Sequence, residues 1–386
     1  TEIYTLSLHD ALPISWDDQR ASWFVFTTRH DNANHTHYDM NSFLFTAFGE
    51  QFATHANLFS YSHPHHGVDF EHNIVIIGEG GMPAADRNTS AGDDGSIFGF
   101  MTGAVAGHFA DYARGDARLS YADRSVRGAA PAVRAERTAL FAKQGPNPYV
   151  FLADDIQKDG GAEHDYHWQW YTEARSVAGR GSFAEPFVIG GAAARCGIAF
   201  LEPASPRHEF RMVQSEGHRQ PFELGLLRVS RRGVRVRFLA AAAAWRKGEP
   251  PPRMFRGPDV AGAPGAASVI VEGPGFRDLI VWQPEEVADA PGRTLRAGAL
   301  ETDGLLAMVR TGERGEVLGF VLGDGSTLDY AGVALVRAPR PLSVSADAQH
   351  VMAEGQRRAR QGLAPLPVAG EVRRPGAGGM APLTAF

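Results

Sequence analysis

Val133-Arg-Ala-Glu-Arg-Thr-Ala-Leu-Phe141, then Gly145-Pro-Asn-Pro148, then Tyr149-Val-Phe-Leu-Ala-Asp-Asp-Ile156 follow one another almost without interruption. Two apolar runs on either side of a Gly/Pro/Asn loop are the pattern of a β-hairpin. Similar units lie on both sides. Trp23–Thr27, Met40–Phe48, Gln51–Ala56, His72–Ile77, Gly103–Tyr112, Leu119–Ala122 and His164–Tyr171 read as strands. Gly49-Glu50, Gly78, Gly115-Asp116 and Asp159-Gly-Gly161 read as the turns that close them. Short strands at regular spacing predict an all-β, antiparallel, multi-stranded β-sandwich. The best helix candidate is Val351–Arg360.

Composition shifts near residue 205. Before it the chain is rich in His and aromatic residues; after it Arg, Ala, Val and Gly dominate. The expected organisation is a His-rich β-sandwich over 16–205, a second, smaller β domain over 206–362, and a Pro/Gly-rich tail over 363–386 with little structure of its own. In the second part Phe222–Val229, Val234–Ala240, Ser268–Val271, Asp278–Trp282, Leu305–Arg310 and Val317–Leu322 read as strands, with a Pro/Gly-rich loop over 246–266. Residues 1–15 resemble the translated read-through of a sequencing adapter and are expected to be non-native, with the natural chain continuing upstream.

The bulk numbers exclude some classes. A net charge of −6 gives no reason to expect a nucleic-acid partner. No apolar run approaches the roughly 18 residues a membrane-spanning helix needs. Cys196 is the single cysteine, so there is no internal disulfide and no CxxC metal site; a buried structural thiol is expected.

More than half of the 15 histidines lie between His30 and His72. Imidazole is the commonest metal ligand and titrates near neutral pH. His35 and His37 share one face if their segment is a strand, because strand side chains alternate. The spacing His37, His55, His72 admits a site with three imidazoles, a donor set zinc accepts, with a fourth position open. Polar surface histidines are the alternative. A His-x-His pair also begins a cupin metal site, but Asn41 and Ser42 stand where a cupin needs Glu.

The ordered set His35-Thr-His37-Tyr-Asp39-Met-Asn41-Ser42-Phe43, Gly49-Glu50, His72-Asn73, Asp111-Tyr112, Arg137–Phe141, Tyr149–Asp155 and His164-Asp-Tyr-His-Trp168 resembles the β-sheet region of the heparinase II/III-like polysaccharide lyases. The resemblance covers about Trp16 to Glu173. It implies a lyase that cleaves uronate-containing acidic polysaccharides, heparin/heparan sulfate-like or alginate-like, by β-elimination. It also implies residence in the periplasm or cell envelope. By the same resemblance His35 is the catalytic proton-transfer residue, and His37, His55 and His72 hold a structural zinc, with His55 where the family usually has Asp. The family's N-terminal α/α-toroid, which supplies a catalytic tyrosine, is not visible here, so this chain alone is expected to be weakly active or inactive. A noncatalytic carbohydrate-binding or structural β module and a cupin-like metal enzyme are the other two readings.

Other conspicuous residues divide between roles. Asp39 is either an acceptor that orients an imidazole or a strand-end cap. Asn41 is read as bonding within a turn or ladder before binding a carboxylate. Tyr38 alternates away from His37. His63, His65 and His66 read as surface residues of a Pro-containing loop. Asp154-Asp155 reads as a strand-end turn before an acid/base pair. Tyr166, Trp168 and Trp170 share a face that reads as sandwich core.

Overall fold

The computed structural model describes residues 21–28, 39–55, 72–78, 99–121, 131–216, 221–285, 293–355 and 368–383. The segment 1–15 and His30, His35, His37, Tyr38, His63, His65 and His66 lie outside them.

The first strands are β1 (Trp23–Thr27), β2 (Ser42–Ala47), β3 (Glu50–Ala53) and β4 (Val75–Ile77). Next come β5 (Phe100–Ala106), β6 (Ala110–Asp116), β7 (Arg134–Ala142), β8 (Tyr149–Gln157) and β9 (His164–Thr172). They are followed by β10 (Val177–Ala178), β11 (Phe187–Gly190), β12 (Ala194–Glu202), β13 (Arg207–Glu216), β14 (Pro221–Gly233) and β15 (Arg235–Arg246). Among the described residues every strand pairing is antiparallel.

Three layers result. In the front layer β1-β2-β3 form one sheet and β13-β14-β9-β4 another. A bridge between Thr54 and Tyr171 ties the end of β3 to β9. The middle layer is an eight-stranded sheet in the order β10-β11-β12-β15-β8-β7-β6-β5. The back layer is an 11-stranded sheet built from Arg253–Arg256 onward, with Ala267–Gly273, Phe276–Trp282, Leu306–Thr311, Val317–Tyr330 and Val333–Asp347 as its spine.

Strand alternation explains how the middle sheet serves two cores. In β7 and β8, Ala139, Phe141, Val150 and Leu152 face the front core. Their neighbours Leu140, Ala142, Tyr149, Phe151 and Ala153 face the back core. In β15, Phe238, Ala240, Ala242 and Ala244 point one way and Leu239, Ala241 and Ala243 the other. A strand buried on both faces has no polar alternation to show, which is why Leu239–Ala244 reads as a continuous apolar run.

The composition shift near residue 205 is not a change of sheet partner. β14 pairs with β9, and β15 pairs with both β8 and β12, so strands from 207–246 complete the front and middle sheets. The switch to Arg, Ala and Val marks two-sided burial and long exposed ladders instead of a new unit. The helix expected at Val351–Arg360 is corrected as far as it is described: Val351–Gly355 is a strand paired with Leu342–Ala346. Leu119–Ala122, read as a strand, falls on a 3-10 turn at Arg118–Tyr121. Part of the tail is ordered into the back sheet, where Val372 pairs with Val336.

Candidate histidine site

The hairpin β2–β3 delivers His55. Its connecting residues Phe48 and Gly49 both have positive φ, 56° and 81°. That is the turn geometry whose twist matches paired strands. The turn is thus Phe48-Gly49, one residue earlier than the Gly49-Glu50 read from sequence. Trp170 anchors the returning strand by donating from Nε1 to the Phe52 carbonyl at 2.7 Å. His55 follows at the strand's end and is half-buried. Burial pushes its imidazole below the ordinary value of 6.5, which favours the neutral ring.

His72 enters from the other side, just before β4, and is 6% exposed. The rings of His55 and His72 lie 5.8 Å apart, centre to centre, at 46°. Two imidazoles held ~2 Å from one tetrahedral ion have ring centres roughly 5 Å apart, a separation of the same order as that of His55 and His72. Neutral nitrogen donors in a half-buried position suit zinc. His37 and His35 lie outside the described residues, and among the described residues no group of three or more His, Cys, Asp or Glu is placed to hold a metal.

Asn73, fully buried, joins the two histidine segments. Its side-chain amide donates to the Thr54 carbonyl at 2.6 Å and to the Phe43 carbonyl at 2.7 Å, and its Oδ1 accepts from the Tyr171 amide at 2.7 Å. Three of the amide's hydrogen-bonding positions are thus used on three different strands or strand ends.

Beneath it lies Arg137, 1% exposed. Its guanidinium grips Asp154 through Nε to Oδ1 at 2.7 Å and Nη2 to Oδ2 at 3.1 Å. Nη1 donates to the carbonyls of Asn41 at 2.6 Å and Asn73 at 2.5 Å. The Arg137 guanidinium also lies 5.1 Å from the centre of the Phe43 ring. Burial raises the Asp154 carboxyl, opposed by the charge and hydrogen bonds of Arg137.

Asp154 and Asp155 therefore form neither a strand-end turn nor a free acid/base pair. They lie inside β8, Asp154 on Arg137 and Asp155 on Arg235. Hairpin register held the signal for this. If Ala142 pairs with Tyr149 around the Gly145-Pro-Asn-Pro148 loop, Arg137 falls opposite Asp154, and the structure has that pairing. Asn41 behaves as a turn residue. Its φ is 62°, and its amide donates to the carbonyls of Gly115 and Ala135 at 3.1 and 3.3 Å. Tyr166, Trp168 and Trp170 are wholly buried in the front core. Cys196 is a free, buried thiol whose pKa burial drives up.

Two further features stand out among the described residues. A cavity of about 330 Å3 opens beside β3, between Glu50–Phe52 and Thr172–Arg175, with Gly190 and Gly191 across from them. On the middle layer, Arg114 meets Glu285 at 2.5 Å, Glu136 at 3.4 Å and Asp324 at 3.6 Å. Burial and a hydrogen bond donated to Glu285 raise the Glu136 carboxyl. Burial also acts upward on Glu285, but its bonds to Glu136 and Arg114 outweigh this and keep it ionised.

These layers define a heparinase III-like, all-β fold. The chain is similar to a mutant of heparan sulfate lyase HepC from Pedobacter heparinus, with a TM-score of 0.50 at 13% identity over 72% of this chain and 41% of that one. The unmutated HepC gives 0.48 at 13% identity, over 70% and 39% of the two chains. A heparinase III gene product gives 0.47 at 11% identity, over 78% and 40%. The chain thus spans about two-fifths of the length of the solved structures it matches. No family model and no curated protein sequence matches it. No helix among the described residues is long and apolar enough to cross a membrane.

Proposed function

We propose that this chain is the β-sheet part of a polysaccharide lyase acting on uronate-containing acidic polysaccharides, heparin/heparan sulfate-like or alginate-like, by β-elimination. The observation that carries the reading is the meeting of His55 and His72, 5.8 Å apart, on a fold of heparinase III type. The two histidines come from segments separated in sequence, and nothing in strand packing alone requires both of them at one point.

The reaction removes a proton from the carbon bearing the uronate carboxyl group and expels the glycosidic oxygen. It needs a base, an acid for the leaving oxygen, and charge stabilisation at the carboxylate. In this reading His35 moves the proton at the uronate carbon. His37, His55 and His72 would hold zinc, which when bound supplies a fixed link between the strand ends. Asn73 keeps the backbones beside His55 and His72 in register, so that the cleft wall is ordered before substrate arrives. Periplasmic or cell-envelope residence belongs to the same reading.

The test has two arms. Metal analysis of the purified chain is expected to find about one zinc per chain, lost in His55→Ala and His72→Ala. In parallel, heparan sulfate and alginate are offered to the full-length parent protein and to its His35→Ala variant, reading the ultraviolet absorbance of the unsaturated uronate product and, separately, saccharide binding. Product formed by the protein and abolished by His35→Ala, with binding intact, supports the lyase. Binding that survives with no product from either would favour a noncatalytic carbohydrate-binding module; iron in place of zinc would favour a cupin-like enzyme.

A further inference from the structure

We propose that the outer face of the front sheet carries a subsite for the acidic group of a sugar residue, with Gln169 as its floor and Arg228 and Arg211 as its cationic wall. The inference rests on the acidic-polysaccharide reading above and gives that reading a place on the described strands.

Strands β9, β14 and β13 lie side by side, and alternation sorts their side chains between two faces. Trp168 and Trp170 of β9, with Leu227 and Val229 of β14, point into the front core. The residues between them therefore point out. Register sets two rows on that outer face: Glu209, Arg228 and Gln169 in one, Arg211, Leu226 and Tyr171 in the next. In the second row, Leu226 and Tyr171 pack into a small apolar cluster of their own. The first row is different. Gln169 is 0% exposed, yet neither its Nε2 nor its Oε1 has a hydrogen-bond partner, and the Nε of Arg228 beside it also lacks one. Buried amides in folded chains are nearly always paired, and leaving one unpaired costs stability. Three unmet polar atoms at adjoining positions of one row mark a place prepared for the polar atoms of a ligand. Side-chain exposure rises along the row, to 18% at Arg228 and 51% at Glu209, so the closed floor opens toward solvent.

The side chains select the ligand. The Gln169 amide offers two donors and an acceptor, which match sugar hydroxyls. The Arg228 guanidinium offers planar donors that match a carboxylate or a sulfate. Its Nη1 lies 3.4 Å from Oε1 of Glu209, which leaves Nε for another acceptor. Arg211, diagonal to Arg228 across the β13–β14 ladder, is exposed and has no ion-pair partner among the described residues. Burial lowers the Arg228 pKa, Glu209 opposes this, and Arg211 adds to the lowering. A bound anion would offset both the burial and the repulsion. Two guanidiniums against one carboxylate make a locally cationic spot on a chain of net charge −6. An amide matched to hydroxyls beside cations matched to an acid fits an acidic sugar better than an inorganic anion. The place fits as well. The Gln169 backbone amide donates to the Ile74 carbonyl at 3.1 Å, two residues after His72, and Tyr171 bridges Thr54, the residue before His55. The row thus starts beside the His55–His72 pair.

The test is calorimetric titration of the full chain with three tetrasaccharides. One is built of mannuronate and carries carboxylates alone, one is derived from heparin and carries carboxylates and sulfates, and cellotetraose carries neither. The variants are Gln169→Leu, Arg228→Lys and Arg211→Ala, with Arg253→Ala, an exposed arginine of the back sheet, as the control. Gln169→Leu and Arg228→Lys are each expected to weaken binding of an acidic tetrasaccharide roughly 10–100-fold, and Arg211→Ala somewhat less, with Arg253→Ala unchanged. Free Gln169→Leu should unfold at or above the temperature of the parent, because leucine removes buried polar atoms that have no partner. Arg211→Ala, exposed on the edge strand β13, keeps the test readable should Gln169→Leu not fold. Loss confined to the heparin-derived tetrasaccharide assigns a sulfate to the subsite; equal loss on both acidic probes assigns a carboxylate. Parent-like affinity in Gln169→Leu and Arg211→Ala, with acidic saccharide still bound, would overturn the subsite and leave the polysaccharide reading standing. Cellotetraose bound as tightly as the acidic probes, and lost equally in the variants, would also overturn it. A parent chain that binds neither acidic tetrasaccharide would sink the polysaccharide reading and this subsite together.

Discussion

Arg310 is expected to be the most costly single charge to remove from the junction of the middle and back sheets. It donates to Asp278 through Nε at 2.7 Å and Nη2 at 2.6 Å, and Tyr149 from β8 donates to the same carboxylate at 2.6 Å. Arg310 also caps the Gln144 carbonyl and lies between the rings of Phe276 and Phe109, 4.3 and 5.0 Å from their centres. Asp278 is wholly buried. Arg310→Met leaves that carboxylate with Tyr149 alone, which should cost about 3–5 kcal/mol. Tyr149→Phe leaves the bidentate pair intact and removes one bond to a charged acceptor, about 1.5–3 kcal/mol. Asp278→Leu/Arg310→Met removes both charges together and should cost less than Arg310→Met alone. Equilibrium urea unfolding followed by tryptophan fluorescence orders the three, since Trp282 reports on the back sheet and Trp168 and Trp170 on the front core. A cost for Arg310→Met below that of Tyr149→Phe, or a double variant equal to the sum of its singles, would refute the reasoning.

Glu136 holds a raised carboxyl pKa in the folded chain, against an unfolded value of 4.5, so it binds its proton more tightly folded than unfolded. Stability from that proton is present below the unfolded value and is lost as pH rises to the folded one, about 8, and Glu136→Gln should flatten the decline in unfolding temperature between about pH 4.5 and pH 8. Phe43→Ala should cost about 3–5 kcal/mol, because the ring is buried between Trp168, Trp170 and the Arg137 guanidinium; chemical denaturation measures it. Cys196, buried and with its thiol pKa raised, should be silent to a chromogenic thiol reagent in the native chain and react once denaturant is added; fast native labelling would contradict its burial.

Much of the architecture was legible where alternation and turn chemistry agree. The β7–β8 hairpin could be read from its Gly-Pro-Asn-Pro loop, and the core face of β9 from Tyr166, Trp168 and Trp170. Other positions misled because a residue served a neighbour far away in sequence. Gly115-Asp116 reads as a turn, yet Gly115 lies inside β6, where a Cβ would collide with the Asn41 side chain. The glycine is there to admit Asn41. Gly103–Tyr112 reads as one strand, but the chain turns between Ala106 and Ala110, where Ser345 of the back sheet bonds the Ala110 carbonyl at 2.7 Å. Such contacts span more than 200 residues and leave no local trace. Within the candidate site, the types of His55 and His72 and their spacing pointed to a shared point. The hub that joins them, Arg137 with Asn73, was not foreseen, because it consists of bonds to backbone carbonyls, and a carbonyl has no residue identity to read.

The two-faced β15 has a consequence for dissecting the chain. A cut made near residue 205, where composition suggests a seam, would remove the partner of β8 and β12 at once and strip β14 from β9. Three interior strands would become open edges carrying rows of unpaired amides and carbonyls, and exposed edges recruit other chains. A front fragment ending at 205 should precipitate or assemble into soluble aggregates, whereas one ending after Arg246 keeps every front and middle ladder closed and exposes only the apolar face that Trp282 and Met308 cover.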